Sequence, residues 1–422
     1  MTILFTNISQ LVNVREESTL LRGKELSELP VIDKAFLMVE DDTIMTYGSM
    51  ADLDWKVPVQ PETVVNLKGQ IVLPCWCDSH THIVFSGSRE NEFVDKIKGL
   101  SYAEIAARGG GILNSARKLN ETSEEELYRQ SYKRLQEVQR LGTGALEIKS
   151  GYGLTLEGEL KMLRVIRRLK QDSGMLIKST FLGAHTLPAE YKENPEAYID
   201  ILLNQMLPAV AGEKLADYID VFCETGFFTP EQTDRICKAG IAVGLKPRLH
   251  VNQLTSIGGI ETAIANEAVS VDHLETMTEN DIALLGKWKG IATLLPTAAF
   301  FLRMPMQPAR SIIDAGAAVA LASDYNPGSS PSGNMNFVNS ISCIQMKMLP
   351  EEVINASTIN GAFALEAASQ VGSITEGKKA NLIITKPIPS YTFMPYSFGS
   401  QLIDRVMLNG VFVEDAAHAG TR

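Results

Sequence analysis

An α/β chain folded as a (β/α)8 TIM barrel, with a small β-sandwich-like domain built from both chain ends, is the architecture this sequence predicts. Three observations predict it. Between residues 68 and 325, eight short apolar runs alternate with stretches of helical periodicity, the pattern of a parallel sheet assembled from βα units. Histidines and acids close or nearly close several of those runs. The flanks read instead as antiparallel hairpins.

In chain order, residues 30–48 form a hairpin that turns at the acidic Glu40-Asp41-Asp42. The eight runs follow at 70–82, 144–150, 179–185, 218–224, 245–250, 269–273, 291–296 and 319–324. Between the first two, Ser123 is placed to cap a helix with apolar residues at helical spacing that stops at Gly142. The same connection carries the polar, glycine-rich ARGGGILNSARK, and within 90–140 a lid or substrate loop over the barrel mouth is expected. Helices from about 335 to 368 lead to a last hairpin at 405–415, where Asn409-Gly410 supplies the turn. Neither flank has enough apolar length to fold alone. Residues 1–68 and 370–422 are therefore expected to pair as one composite β-domain beside a barrel spanning 69–369.

The chain has 422 residues, 45% hydrophobic and 21% charged, an ordinary globular balance that excludes disorder and disulfide-dense classes. Fifty acidic against 39 basic residues leave a net charge of −11, the wrong sign for neutralising phosphates, so nucleic acid is dropped as a partner. No apolar stretch approaches the roughly 18 residues of a membrane span, and the first residues lack a basic region and a small-residue cleavage site, so a cytoplasmic protein with no membrane partner is expected. The five cysteines suit buried free thiols better than a disulfide framework. Cys75 and Cys77, at alternate positions, are expected to face one way in the barrel wall rather than to bind metal.

Five of the six histidines, His80, His82, His185, His250 and His273, lie at or near the ends of expected strands, and His418 lies in the tail. Strand C-termini form the active face of such a barrel, so these imidazoles converge on one cavity. His80 and His82, two apart on an extended strand, face the same side about 6.5 to 7 Å apart and can share a metal. With His250 and Asp324 ending later strands, the donor set suits Zn²⁺ best, one ion per chain, with iron or manganese as weaker options. A bound zinc lowers the pKa of its water toward about 7, and Asp324 is placed to move the proton. The plainer role of Asp324 is to cap the following turn. His273 is expected to orient the attacking water or hold Asp324, the alternative being a core histidine satisfied by backbone.

The segments DSHTHIVFSGSRENEF (78–93), GGGI (109–112), EIKSGYGL (147–154), FLGAH (181–185), ETGFF (224–228) and SDYNPGSSP (323–331) resemble the amidohydrolase superfamily. Within it, the chain looks like the branch that opens a cyclic amide, hydrolysing 4-imidazolone-5-propanoate to N-formimino-L-glutamate in histidine degradation. That resemblance spans essentially the whole chain. It implies zinc, or iron, held by His80, His82, His250 and Asp324, and a homodimer.

Residue by residue, Arg89 offers a planar fork for the propanoate carboxylate, or else belongs to a charged surface run. Tyr152, between Gly151 and Gly153, presents its phenol where the backbone approaches a ligand, or else packs. His185 is expected to polarise or hydrogen-bond the ring carbonyl. The turn Asn326-Pro327-Gly328-Ser329 is expected to offer backbone N–H groups as a second anchor for the anion. Gln253 stands where related deaminases carry glutamate. It can hydrogen-bond the ring but cannot shuttle a proton, which weighs against a second reading as an aminohydrolase. Lys149, two residues beyond Glu147, is expected to be structural or to support the residues that hold the metal. A non-catalytic barrel is the remaining alternative, and the full set of expected ligands opposes it.

Overall fold

The computed structural model describes residues 1–57, 60–100 and 110–413. His418, residues 107–109 of the glycine-rich segment and the end of the expected composite domain lie outside the described residues. The strands in chain order are β1 (Thr2–Val12), β2 (Val31–Glu40), β3 (Thr43–Ser49), β4 (Thr63–Asn66) and β5 (Ile71–Pro74). Next come β6 (Trp76–Asp78), β7 (Thr143–Lys149), β8 (Leu176–Ala184), β9 (Tyr218–Cys223), β10 (Lys246–Val251), β11 (Ser270–His273), β12 (Ile291–Leu294) and β13 (Ala318–Leu321). The last three are β14 (Leu382–Thr385), β15 (Ile403–Leu408) and β16 (Val411–Phe412).

Strands β6 to β13 pair in sequence order, every pair parallel, as consecutive βα units require. The ring closes just past the strands themselves. Asp324 N–H donates to His80 O at 3.0 Å, His82 N–H donates to Tyr325 O at 3.0 Å, and Asp78 accepts from Ser323 N at 3.0 Å and Ser323 Oγ at 2.6 Å. Closure of the barrel and placement of three candidate ligands are thus the same event. The helix Glu124–Arg140 on the outer wall begins as expected, with Ser123 Oγ accepting from Glu126 N at 3.3 Å.

The chain ends build a separate mixed sheet in the order β16-β15-β14-β5-β1-β2-β3, with β4 parallel to β1. Its inner face buries Phe5, Ile8, Leu37, Ile374, Leu382 and Met407, so neither end covers its apolar side without the other. Here one expectation is corrected. The run at 70–82 is two strands: Ile71–Pro74 pairs with β14 in the end sheet, and Trp76–Asp78 opens the barrel. The switch is at Cys75, whose N–H goes to Asn381 O at 3.0 Å, while the N–H of Trp76 goes to Gly142 O at 2.9 Å. Cys75 and Cys77 therefore do not share a barrel strand. Cys75 fills the corner over Gly144, where a Cβ would come within 2.6 Å of its own. All five cysteines are free thiols, four of them buried. Among the described residues no helix is long and apolar enough to cross a membrane.

Candidate metal centre and anion pocket

Each candidate ligand is presented by the end of a strand, where the backbone leaves the sheet. His273 and Asp324 sit in the left-handed region, at φ 91 and φ 52. Such backbone is costly for a residue with a Cβ, and it marks places where a side chain is aimed rather than merely packed. His80, His82, His250, His273 and Asp324 are all buried. Ring centroids lie 4.5 Å apart for His80 and His250, 5.3 Å for His80 and His82, and 5.2 Å for His250 and His273. Two overlapping trios, His80-His82-His250 and His80-His273-Asp324, bring ligand atoms within 4.8 Å of one another. Asp324 Oδ1 is 3.5 Å from Nε2 of both His80 and His82.

For His80 and His250 a carboxylate behind the ring shows which nitrogen faces inward. His80 Nδ1 lies 2.7 Å from Asp272 Oδ2, leaving Nε2 buried without a hydrogen-bond partner. His250 Nδ1 is 2.9 Å from Asp220 Oδ2, off the line a hydrogen bond needs, and its Nε2 is unpartnered too, as is His82 Nδ1. Burial pushes all three imidazoles well below their ordinary pKa, and Lys149 adds to the effect. They are neutral, as metal donors must be. Burial pushes the Asp324 carboxyl up to about 7, against the pull of His273. His273 is raised although burial opposes it, because Glu275 Oε1 lies 3.3 Å from its Nδ1.

Beneath these rings is a second set of buried charges, and most of it has partners. Lys149 Nζ is 2.8 Å from both Glu147 Oε1 and Asp220 Oδ2, and Arg248 donates to Ser79 O at 2.8 Å and Ala364 O at 2.9 Å. Lys149 is spent holding these acids, in keeping with the structural expectation. Asp220 and Arg248 were not singled out from the sequence. A charged residue at an inward position of an apolar strand run was the available signal, but in isolation it does not distinguish scaffold from site.

A cavity of about 440 Å³ adjoins the rings, lined by His82, Tyr152, His185, Phe222 and His273 together with Arg89, Lys96, Gln253, Asn326, Gly328 and Ser329. His185 stacks on His82 at 5.2 Å and 13°, and its Nδ1 is 3.0 Å from Gly151 O. A carbonyl only accepts, so Nδ1 carries the proton. With the ring pushed down to about 4 by burial, Nε2 is an acceptor at neutral pH. Tyr152 is buried in a turn held by Glu159, which accepts from the N–H groups of Gly151, Gly153 and Leu154 at 3.1, 2.8 and 2.9 Å. Glu159 escaped notice in the sequence because it reads as one more acid in a helix first turn.

Arg89 and the 326–329 turn are brought together. A Cβ on Gly328 would lie 2.2 Å from Arg89 Nη1, so only glycine admits the guanidinium there. The expected backbone nest is corrected: the N–H groups of Gly328 and Ser329 both donate to Asn326 Oδ1 at 2.8 Å and are not available to an anion. Ser329 Oγ is 3.2 Å from Asp324 Oδ2, which ties this turn to the ligand cluster.

Comparison with known proteins agrees with this geometry. Residues 228–413 match the amidohydrolase family model. The chain is 57% identical to an imidazolonepropionase of Flavobacterium johnsoniae over 98% of its own length and all of that protein, and 54% identical to one of Christiangramia forsetii with the same coverage. Among solved structures, E. coli guanine deaminase superposes with a TM-score of 0.75 at 13% identity, covering 98% of this chain and 99% of that one. An adenosine deaminase from Xanthomonas campestris with bound zinc gives 0.67 at 15%, covering 97% and 92%. The two structural likenesses establish the shared fold, and the full-length identities go further: the chain belongs to the imidazolonepropionase family of amidohydrolases.

Proposed function

We propose that this chain hydrolyses the cyclic amide of 4-imidazolone-5-propanoate to N-formimino-L-glutamate, with one Zn²⁺ held by His80, His82, His250 and Asp324. The observation that carries the reaction is identity above 50% along the whole chain to proteins of that name. Support for the metal comes from the donors: three neutral, buried imidazoles, with Nε2 of His80 and of His250 unpartnered, beside one carboxylate. Leaving such atoms without a partner costs about 1–3 kcal/mol each, which a cation removes. Three imidazoles and a carboxylate suit zinc, with iron the alternative. When bound, such a cation acidifies a water and polarises the amide carbonyl.

The chain's own groups do the rest. Asp324, ionised beside a bound cation, accepts the proton of the attacking water and returns it to the ring nitrogen as the C–N bond breaks. His273, whose pKa Glu275 raises, faces Asp324, and its protonated form donates to the developing oxyanion. For His185, the bond to Gly151 favours accepting a ring N–H at Nε2 over the carbonyl-polarising role expected from sequence. Tyr152 and Gln253 hydrogen-bond the substrate from the cavity wall and rim, and Arg89 faces its carboxylate. Gln253 cannot protonate a departing amine, which sets this site apart from a deaminase. The test is incubation of the zinc-loaded protein with freshly made substrate. Loss of ring absorbance with formation of formiminoglutamate and no ammonia is expected, whereas ammonia release would establish an aminohydrolase instead.

A further inference from the structure

We infer that Lys96 is a specificity-determining residue that supplies the net positive charge recognising the substrate's carboxylate. This deepens the proposed function and rests on it. Arg89 alone does not supply that charge: its Nε and Nη2 both donate to Glu92 Oε2, at 2.9 and 2.6 Å, and Glu92 is buried. The pair is neutral toward a third charge. The backbone N–H groups of the facing turn are taken by Asn326, and the Ser329 hydroxyl bridges Asn326 Nδ2 at 2.6 Å and Asp324. Lys96 is different. It lies on the helix Glu90–Ile97, one turn beyond Glu92, half-buried on the cavity rim. Among the described residues, its ammonium has the carbonyl oxygen of Gly328 as hydrogen-bond partner at 3.5 Å and no carboxylate within ion-pair distance.

Gly328 therefore lies between two cations, one neutralised and one not, in the wall of the cavity. A chain of net charge −11 repels an anionic substrate over most of its surface, so an unneutralised ammonium at the entrance decides whether the anion is held. An ammonium is a point charge that tolerates the carboxylate's approach from several directions, while the rigid Arg89 fork fixes its plane.

The test uses the full-length, zinc-loaded protein, with the natural acid and its neutral propanamide analogue as substrates. Lys96→Met and Lys96→Gln are each expected to raise KM for the acid by about 10-fold or more with kcat within about two-fold, and to leave KM for the amide unchanged. Lys96→Arg is expected to recover KM to within about three-fold of native, since it keeps the charge. Unchanged KM for the acid in both neutral variants overturns the inference, as does equal loss on acid and amide, or an Arg variant as poor as Met. Failure of the native protein to turn over the acid refutes the proposed function instead, so the two claims fall separately.

Discussion

Two layers of buried polar groups share one barrel, and they differ in how far they are satisfied. In the lower layer, Lys149 and Glu147 form an ion pair and Arg248 donates to the carbonyls of Ser79 and Ala364. In the upper layer, Nε2 of His80, Nε2 of His250 and Nδ1 of His82 have no hydrogen-bond partner. The lower layer reads as scaffold and the upper one is the candidate metal site. Asp220 and Asp272 join them, each pairing upward with a histidine and downward with Lys149, at 2.8 and 3.7 Å. A buried polar group with a full set of partners stabilises a fold, whereas one held unpartnered by rigid neighbours has been kept ready for something from outside.

That contrast can be broken most decisively in the upper layer. His80→Ala is expected to remove zinc and to lower kcat by more than about 100-fold, because a ligand counts for more than the groups that merely orient it. Metal analysis near one zinc per chain in that variant would contradict the assignment. In the lower layer, Lys149→Met leaves Glu147 and Asp220 buried without the ammonium that pairs with them. A loss of about 3–5 kcal/mol in denaturant unfolding is expected, a cost that His80→Ala should not incur in zinc-free protein. Equal destabilisation by the two changes would erase the distinction between layers.

Next in size is Arg89→Ala, expected to raise KM for the acid by roughly 10-fold or more, since Glu92 is then left as an uncompensated anion beside the carboxylate. Arg89→Ala,Glu92→Gln should recover part of that loss, and no recovery would mean that Glu92 does not neutralise the fork. The pH behaviour of the upper layer supplies a finer test. Asp324, pushed up to about 7 by burial, is protonated at pH 6 in zinc-free protein and ionised at pH 8. A cation binds the carboxylate, while the imidazoles are already neutral. Zinc binding at pH 6, below the pH at which a zinc-bound water ionises, should therefore expel about one proton per chain, that of Asp324. Calorimetry at pH 6 in buffers of different ionisation enthalpy reads this directly, and zinc uptake with no proton released at that pH would refute it. The smallest effect belongs to Gln253→Glu, expected to leave kcat flat or slightly lower. A rise would show that an acid at this rim position helps the chemistry.

Much of this site was legible in the chain, because strand and helix periodicities report local burial, and His80-x-His82, His250 and Asp324 fall where strands end. Arg89 and Tyr152 were found through their neighbours in the motifs. Lys96, Glu92, Glu159 and Asp220 were not, since a charge in a helix or an apolar run has no visible partner until distant segments meet. The barrel's closing bonds, from Asp324 to His80 and from His82 to Tyr325, join residues more than 240 positions apart. Alternation of apolar and polar residues specifies what each segment is, since it follows from the chain's own geometry. Which nitrogen faces inward, where the first strand crosses between sheets at Cys75, and which cation stays unneutralised depend on through-space contacts, and those exist only once the ring has closed.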